Sequence, residues 1–184
     1  MKQIFEVAQQ VQNFFDENNW QFCFIGGIAL QRWAKPRLTN AADLTLLTGF
    51  GSEEIYIDKI LAKFESRISN PKEFALRNRI LLLQIENVGI DISLGALFFE
   101  ESAVKRAVSY DFLPHIKLKI CTAEDLVVFK AFANRTQDWA DIENILIVQL
   151  KLDWKYINKQ LAPLVELKEE PEILTKLEKL RKEI

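Results

Sequence analysis

The stretch CFIGGIALQRWAKPRLTNAADLTLL, residues 23–47, decides the fold. Its first apolar run, residues 22–25, predicts a short buried strand, and the glycine pair Gly26–Gly27 predicts a sharp turn into a helix. Glycines at a helix start leave backbone N–H groups open to a phosphate, with no side chain in the way. A basic loop follows, and the second apolar run carries one acid, Asp43. The stretch therefore predicts half of a phosphate and metal site.

Composition narrows the classes of protein to which the chain can belong. The 184 residues are 49% hydrophobic, which is enough for one compact core with or without a helical appendage. The formal net charge is −2, so no global field attracts nucleic acid or acidic lipid, and any polyanion must meet a local patch. No run reaches the roughly 18 apolar residues of a membrane helix, and the N-terminus does not resemble a signal peptide. We expect a cytoplasmic protein without a membrane partner.

Cysteine and histidine content excludes several kinds of site. Cys23 and Cys121 lie in apolar runs without paired spacing, which predicts buried thiols rather than a disulfide or a metal site. His115 is the single histidine, so a mechanism that needs two is excluded, and we expect this residue to be exposed in a turn. No motif supports a Ser-His-Asp triad.

Apolar periodicity predicts the order of the elements. Helical spacing marks segments at residues 3–18, 28–34, 53–68, 122–135 and 136–150, with two further helices after them. Strand patterns mark residues 22–25, 43–47, 80–86 and 89–94, with one more strand near 110–122. Strands precede residue 120 and helices follow it. The expected fold class is therefore α+β, a mixed sheet with flanking helices (core 1–120) and a helical C-terminal part (121–184) packed on that core.

Two acids occupy comparable places on two of these strands. The period of two separates Asp43 from the apolar Leu44 and Leu46, and it separates Asp91 from Ile90 and Ile92. If the two strands are neighbours, the carboxylates converge. Mg²⁺ commonly takes one or two carboxylates and completes its shell with water and substrate phosphates. The combination points to nucleotide chemistry.

Four segments in order resemble the minimal nucleotidyltransferase fold of the polymerase-beta superfamily. The closer resemblance is to bacterial nucleotidyltransferases related to the toxins of abortive-infection toxin–antitoxin systems. The matching segments are GGIALQRWAKPRLT (26–39), DLTLLTGFG (43–51), GIDISLGALFFE (89–100) and AEDLVVFKAFANRTQDWADIE (123–143).

This resemblance implies an activity and its cofactor. It implies transfer of a nucleoside monophosphate from a nucleoside triphosphate to an RNA end, tRNA-like, or to a protein hydroxyl, with Mg²⁺ or Mn²⁺ and with an antitoxin protein as a partner. Asp43 matches the second acid of the family's Asp-x-Asp pair, and Asp91 matches the third acid. The place of the first acid is Ala41, which removes a metal ligand and is expected to weaken or abolish turnover.

Other candidate residues each have a second interpretation. By resemblance Lys130 contacts the triphosphate, although an ammonium among apolar neighbours can instead snorkel to the surface. Arg37 is our candidate for a phosphate or RNA-backbone contact, against a solvated loop charge. Asp138 borders the site by resemblance, although an acid in a first helical turn also complements the helix dipole. Thr39, together with Gly26 and Gly27, completes the predicted substrate contacts.

The same residues allow a second function. A degenerate member of the fold that binds a nucleotide or a partner protein without turnover also fits a site that lacks its first acid. Binding of triphosphate without release of pyrophosphate distinguishes this module from an enzyme.

Overall fold

The computed structural model describes residues 2–184 and divides into two compact units. The first unit contains the residues up to Ile28 together with Leu38–Cys121, and the second contains Ala29–Arg37 and Thr122–Ile184. The predicted domain boundary after residue 120 remains a prediction. In the structure, residues 29–37 group with the second unit.

The first unit is built on a mixed sheet with helices in its connections. Its elements are α1 (Lys2–Glu17), β1 (Phe22–Phe24), the start of α2 (Gly26–Trp33), β2 (Ala41–Leu47), α3 (Glu53–Leu61), α4 (Pro71–Asn78), β3 (Ile80–Ile85), β4 (Val88–Gly95), α5 (Phe98–Arg106), β5 (Val108–Leu113) and β6 (Ile116–Ile120). Within residues 2–184 the sheet has six strands in the order β3-β4-β2-β1-β6-β5. The β1–β6 and β2–β4 pairs are parallel and the others antiparallel, so the predicted mixed α+β architecture is confirmed.

The apolar pattern of the sequence explains the core of this unit. Helix α1 buries one stripe, from Ile4 to Phe15, and ends at Glu17, two residues before the left-handed Asn19. All three residues of β1 are fully buried, as is expected for a central strand. The rings of Phe15 and Phe22 meet edge to face, which joins the helix to the strand.

The helix predicted over 53–68 is wrong in its second half. Helix α3 ends at Leu61, and the following chain runs beside β3. There Ser66 forms a bridge with Leu83, and the amide of Gln84 donates to the carbonyl of Glu65. Backbone groups at the edge of β3 thus find partners in this segment, a tertiary demand that outweighs helical periodicity. Helix α4 follows and was not predicted.

The single strand predicted near 110–122 is also wrong, because this segment forms the hairpin of β5 and β6. The turn places His115 at a φ of 71°, a left-handed conformation that few non-glycine residues adopt. His115 is exposed, as expected. Helix α5, which precedes the hairpin, was not predicted either. Glu100 fixes its start by accepting hydrogen bonds from the amides of Ala96 and Leu97.

The second unit is helical beyond residue 122, as predicted. Its helices after α2 are α6 (Ala123–Ala133), α7 (Thr136–Val148), α8 (Trp154–Lys168) and α9 (Glu172–Glu183). Thr122 caps α6 by accepting a hydrogen bond from the amide of Asp125. No helix within the described residues is long and apolar enough to cross a bilayer.

Candidate functional site

Two aspartates face each other across neighbouring strands of the first unit. Strands β2 and β4 pair in parallel, and their register places Asp43 opposite Asp91. Leu44 and Ile92, which follow them in the same register, are fully buried. The two carboxylates are only partly buried and project from the other face of the sheet. The condition for the predicted convergence of the two carboxylates, that these strands are neighbours, is met.

The glycine turn lies directly against Asp43. Gly26 begins α2 with a φ of +52°, and a Cβ placed on it would stand 2.2 Å from Asp43 Oδ2. A side chain at Gly26 is therefore excluded twice, by its backbone conformation and by the carboxylate. The amide of Gly27 donates a long hydrogen bond of 3.4 Å to the same oxygen. The first turn of α2 thus directs backbone N–H groups toward the carboxylate side of β2.

Thr39 closes this turn from the loop that precedes β2. A Cβ on Gly27 would lie 2.3 Å from Thr39 Oγ1, so the threonine packs against the bare glycine backbone. The Thr39 hydroxyl donates to the carbonyl of Ala41, at 3.0 Å, and this bond fixes the loop just before the acids. The structure therefore brings together Gly26, Gly27, Thr39 and Asp43.

Ala41 occupies the first position of β2, opposite Gly89 of β4. By the family resemblance this is the place of the first acid, and here it carries only a methyl group. A Cβ on Gly89 would lie 3.4 Å from Ala41 Cβ and 2.9 Å from Nη1 of Arg67. The space over Gly89 is thus shared by a small side chain and a guanidinium.

Arg67 is the charged residue of this site that sequence reasoning missed. Its Nη1 lies 2.6 Å from Asp91 Oδ1 and donates a 3.3 Å hydrogen bond to the carbonyl of Leu83. The contact with Asp91 lacks hydrogen-bond geometry, and Oδ1 is buried without a hydrogen-bond partner. Charge alone therefore joins these two groups. The side chain of Arg67 is 30% exposed and that of Asp91 is 22% exposed.

The carboxylates suffice for one divalent ion but not for two ions held by protein ligands alone. Residues 2–184 contain no cluster of three or more histidine, cysteine or acidic side chains placed to hold a metal. Asp43 and Asp91 are in register, and the Oδ1 of Asp91 is a buried oxygen without a donor. Mg²⁺ with one or two carboxylates and substrate phosphates matches this donor set.

A buried ionic network occupies the second unit. Lys130 of α6 places its ammonium 2.6 Å from Asp141 and 3.3 Å from Asp138, both on α7. Arg37 binds the Asp141 carboxylate with two hydrogen bonds, Nε to Oδ1 and Nη2 to Oδ2, each 2.8 Å long. Arg135 holds Asp138 from the start of α7. The network contains three of the predicted site residues: Arg37, Lys130 and Asp138.

These contacts exclude two of the alternative interpretations. The Lys130 side chain is only 6% exposed, so it does not snorkel to the surface. Arg37 is not a solvated loop charge, because its guanidinium is bound in a fork to Asp141. Asp138 is 2% exposed and pairs with Lys130, so its contacts go beyond favourable placement at the helix dipole.

The network also determines the charge state of Asp141. Burial tends to raise the pKa of this carboxyl, but hydrogen bonds from Arg37 and Lys130 outweigh burial and hold the pKa below the usual 3.8. Asp141 is therefore ionised at neutral pH. Its negative charge balances the buried ammonium.

No protein-family model and no curated protein matches the chain. Similar solved structures include ANT(2″)-Ia in complex with adenylyl-2″-tobramycin, with 12% identity, a TM-score of 0.58, and coverage of 91% of this chain and 99% of that one. An antigenic nucleotidyltransferase-like protein from Paracoccidioides brasiliensis has 13% identity and a TM-score of 0.53, covering 95% and 92%. The solution structure of the antibiotic-resistance factor ANT(2″)-Ia has 14% identity and a TM-score of 0.50, and the match covers 97% of this chain and 89% of that one.

These comparisons show the fold. The chain has the architecture of nucleotidyltransferase-like proteins, as the sequence resemblance implies. The toxin–antitoxin part of that resemblance remains a prediction, as do the chemical roles of the individual site residues.

Proposed function

We propose that the protein binds a nucleoside triphosphate beside Gly26 and Gly27 and transfers the nucleoside monophosphate to a hydroxyl group in a Mg²⁺-dependent reaction. The observation that carries this proposal is the register of Asp43 and Asp91 next to the glycine turn. The nucleotidyltransferase-like fold supports it. Nucleotidyl transfer requires a site that binds the phosphates, here the start of α2, and a site that binds a metal ion, here the paired aspartates.

Each residue has a defined task in this proposal. The open backbone at Gly26 and Gly27 admits the triphosphate, with Thr39 as a neighbouring hydroxyl contact. Asp43 and Asp91 hold Mg²⁺, or Mn²⁺ in its place, which neutralises phosphate charge when bound. The triphosphate contact of Lys130, the phosphate or RNA-backbone contact of Arg37 and the place of Asp138 at the border of the site remain predictions. In the second unit Lys130 and Arg37 keep Asp141 ionised and fixed, and Asp138 pairs with Lys130.

The acceptor hydroxyl belongs to an RNA end or to a protein, as the family resemblance implies. A transfer assay with α-labelled triphosphates separates these classes when total tRNA, the protein itself and an aminoglycoside are offered in parallel. The aminoglycoside arm is included because ANT(2″)-Ia is described with adenylyl-2″-tobramycin. Label on tRNA or on protein supports the proposed acceptors, and label on the aminoglycoside alone refutes them.

Three variants test the reaction itself. The protein as it stands should bind Mg²⁺–triphosphate with little turnover, Ala41→Asp should increase label transfer, and Asp43→Asn should reduce both binding and transfer. Calorimetry measures binding, and released pyrophosphate measures turnover. Absence of triphosphate binding by the unchanged protein and by Ala41→Asp would refute the proposal.

A second function is favoured by one specific observation, the Arg67–Asp91 ion pair beside Ala41. Ala41 carries a methyl group where the family has its first acid, and Arg67 neutralises Asp91. Both features fit a catalytically degenerate module that binds a nucleotide or a partner protein. For this module the expected result is triphosphate binding without pyrophosphate release, even in Ala41→Asp.

The toxin role implied by the resemblance has its own test. Induction of Ala41→Asp should arrest growth, induction of the unchanged sequence should not, and a co-expressed antitoxin should restore growth. Normal growth with an Ala41→Asp protein that transfers label in vitro would refute the toxin role and leave the enzymatic proposal intact.

A further inference from the structure

We propose that Arg67 is the resident counter-ion of Asp91 and keeps divalent metal away from that carboxylate until the cation is displaced. The proposal rests on the metal role assigned to Asp91 in the proposed function. It adds regulation of the site. The metal ion binds poorly to the protein alone, and a bound triphosphate draws the Arg67 guanidinium away from Asp91, so that the metal ion can then bind this carboxylate.

The state of Asp91 Oδ1 is the first support. A buried carboxylate oxygen without a hydrogen bond is unfavourable unless a positive charge compensates it. In this site the compensation comes from Arg67 Nη1 at 2.6 Å. A metal ion on Asp91 would need the same oxygen or its close neighbourhood. Arginine and metal therefore compete for one carboxylate.

The way in which Arg67 is held is the second support. Its guanidinium donates a 3.3 Å hydrogen bond to the Leu83 carbonyl, and its side chain is 30% exposed. A hydrogen bond of that length lies just beyond the usual range and is weak. The flexible arginine can therefore leave Asp91 without breaking any buried element. A triphosphate offers it the bidentate phosphate contacts that guanidinium groups prefer.

The third support is the space that the guanidinium occupies. Arg67 lies over Gly89, where a Cβ would approach Nη1 to 2.9 Å, and Ala41 borders the same space. Gly89 is thus the residue whose bare backbone admits the guanidinium. Because position 41 carries no acid, Asp91 does not share this cation with a second carboxylate there. An aspartate at position 41 would compete for Arg67.

A titration of Mn²⁺ without nucleotide, followed by electron paramagnetic resonance, tests the proposal directly. Arg67→Gln should bind Mn²⁺ at least about tenfold more tightly than the unchanged protein, because a unit positive charge next to a divalent ion is strongly unfavourable. Arg67→Lys keeps the charge and should retain the weak binding. The gain should disappear in Arg67→Gln combined with Asp91→Asn, which removes the carboxylate.

Gly89→Ala is an independent second variant that leaves Arg67 in the sequence. The new methyl group meets the far end of a flexible side chain, so it should push the guanidinium off Asp91 at little cost to folding. We expect it to tighten Mn²⁺ binding in the same direction as Arg67→Gln. Circular dichroism and thermal unfolding confirm that the variants are folded.

Two results would overturn the proposal. One is Mn²⁺ affinity that is unchanged or absent in folded Arg67→Gln and Gly89→Ala, and the other is a gain that persists without the Asp91 carboxylate. Because the titration contains no nucleotide, its outcome is separate from that of triphosphate binding and transfer. The proposed function can fail while the metal titration succeeds, and the reverse also holds.

Discussion

Replacing Gly26 by alanine separates the two reasons for a glycine at this turn. The φ of +52° costs alanine about 1–2 kcal/mol. The stiffer unfolded chain offsets about 0.4–1 kcal/mol of this. The net backbone effect is therefore a loss of about 1 kcal/mol in the free energy of unfolding. The second reason is steric: the new Cβ, at 2.2 Å from Asp43 Oδ2, forces the carboxylate to move.

Gly49 provides the matched control. It has a φ of +69°, and a Cβ on it would meet nothing within 4 Å. Gly49→Ala therefore carries the backbone cost of about 1 kcal/mol without displacing Asp43. Gly27→Ala is the complementary control. It introduces a steric clash, with its Cβ 2.3 Å from Thr39 Oγ1, but no backbone cost from a left-handed φ.

The assay combines urea denaturation with calorimetry of Mg²⁺–triphosphate binding. Gly26→Ala and Gly49→Ala should both lose the backbone contribution of about 1 kcal/mol, Gly26→Ala should lose more because of its clash with Asp43, and only Gly26→Ala should lose tenfold or more in triphosphate affinity. Equal loss of affinity in both variants would show that the effect is global. Unchanged affinity in a folded Gly26→Ala would refute the assignment of this turn and Asp43 to one site.

Two further predictions concern the ionic network of the second unit. Lys130→Met removes the buried ammonium and leaves Asp138 and Asp141 without it, so the free energy of unfolding should fall by about 3–5 kcal/mol in urea denaturation. The second concerns pH: because the folded pKa of Asp141 lies below 3.8, its ionised form adds stability above that pH, and this stability is lost as pH falls toward the folded pKa. Asp141→Asn should therefore show a smaller loss of stability between about pH 5 and pH 3 than the unchanged protein.

Both predictions have internal controls. Lys168→Met removes a partly exposed partner of Glu170 and should cost less than about 1 kcal/mol. Equal losses for Lys130→Met and Lys168→Met would contradict the buried character of the network. Identical pH slopes in the Asp141→Asn variant and in the unchanged protein would show that this carboxyl does not contribute to acid sensitivity.

The core of the site followed from short-range patterns. A period of two fixes which face of a strand carries an acid, and the glycine pair marks a turn, so Asp43 and Asp91 were assigned to the face opposite their apolar neighbours, and the pairing of β2 with β4 then brings them together. The spacing of residues along each strand is sufficient for this assignment. The architecture of mixed sheet and helical part followed for the same reason, because apolar periodicity separates strands from helices.

Features set by tertiary partners did not follow from the sequence. Arg67 was hidden in a predicted helix, because pairing of its segment with the edge of β3 leaves no local signal. Lys130 has two acids as partners on the next helix, and their approach depends on helix packing rather than on spacing. The β5–β6 turn lacks the Asn-Gly signature that marks hairpins, since its left-handed residue is His115.

The parallel pairing of β2 with β4 has a consequence for how the chain acquires its site. In the sequence, helices α3 and α4 and strand β3 separate β2 from β4. Strand β4 therefore pairs locally with β3 but must close a long loop to reach β2. Pairings of this kind are slow, because the entropy of closure is lost before contacts compensate it. During synthesis the two aspartates therefore meet only after residue 95 has left the ribosome, and a shorter nascent chain has the glycine turn but not the acid pair.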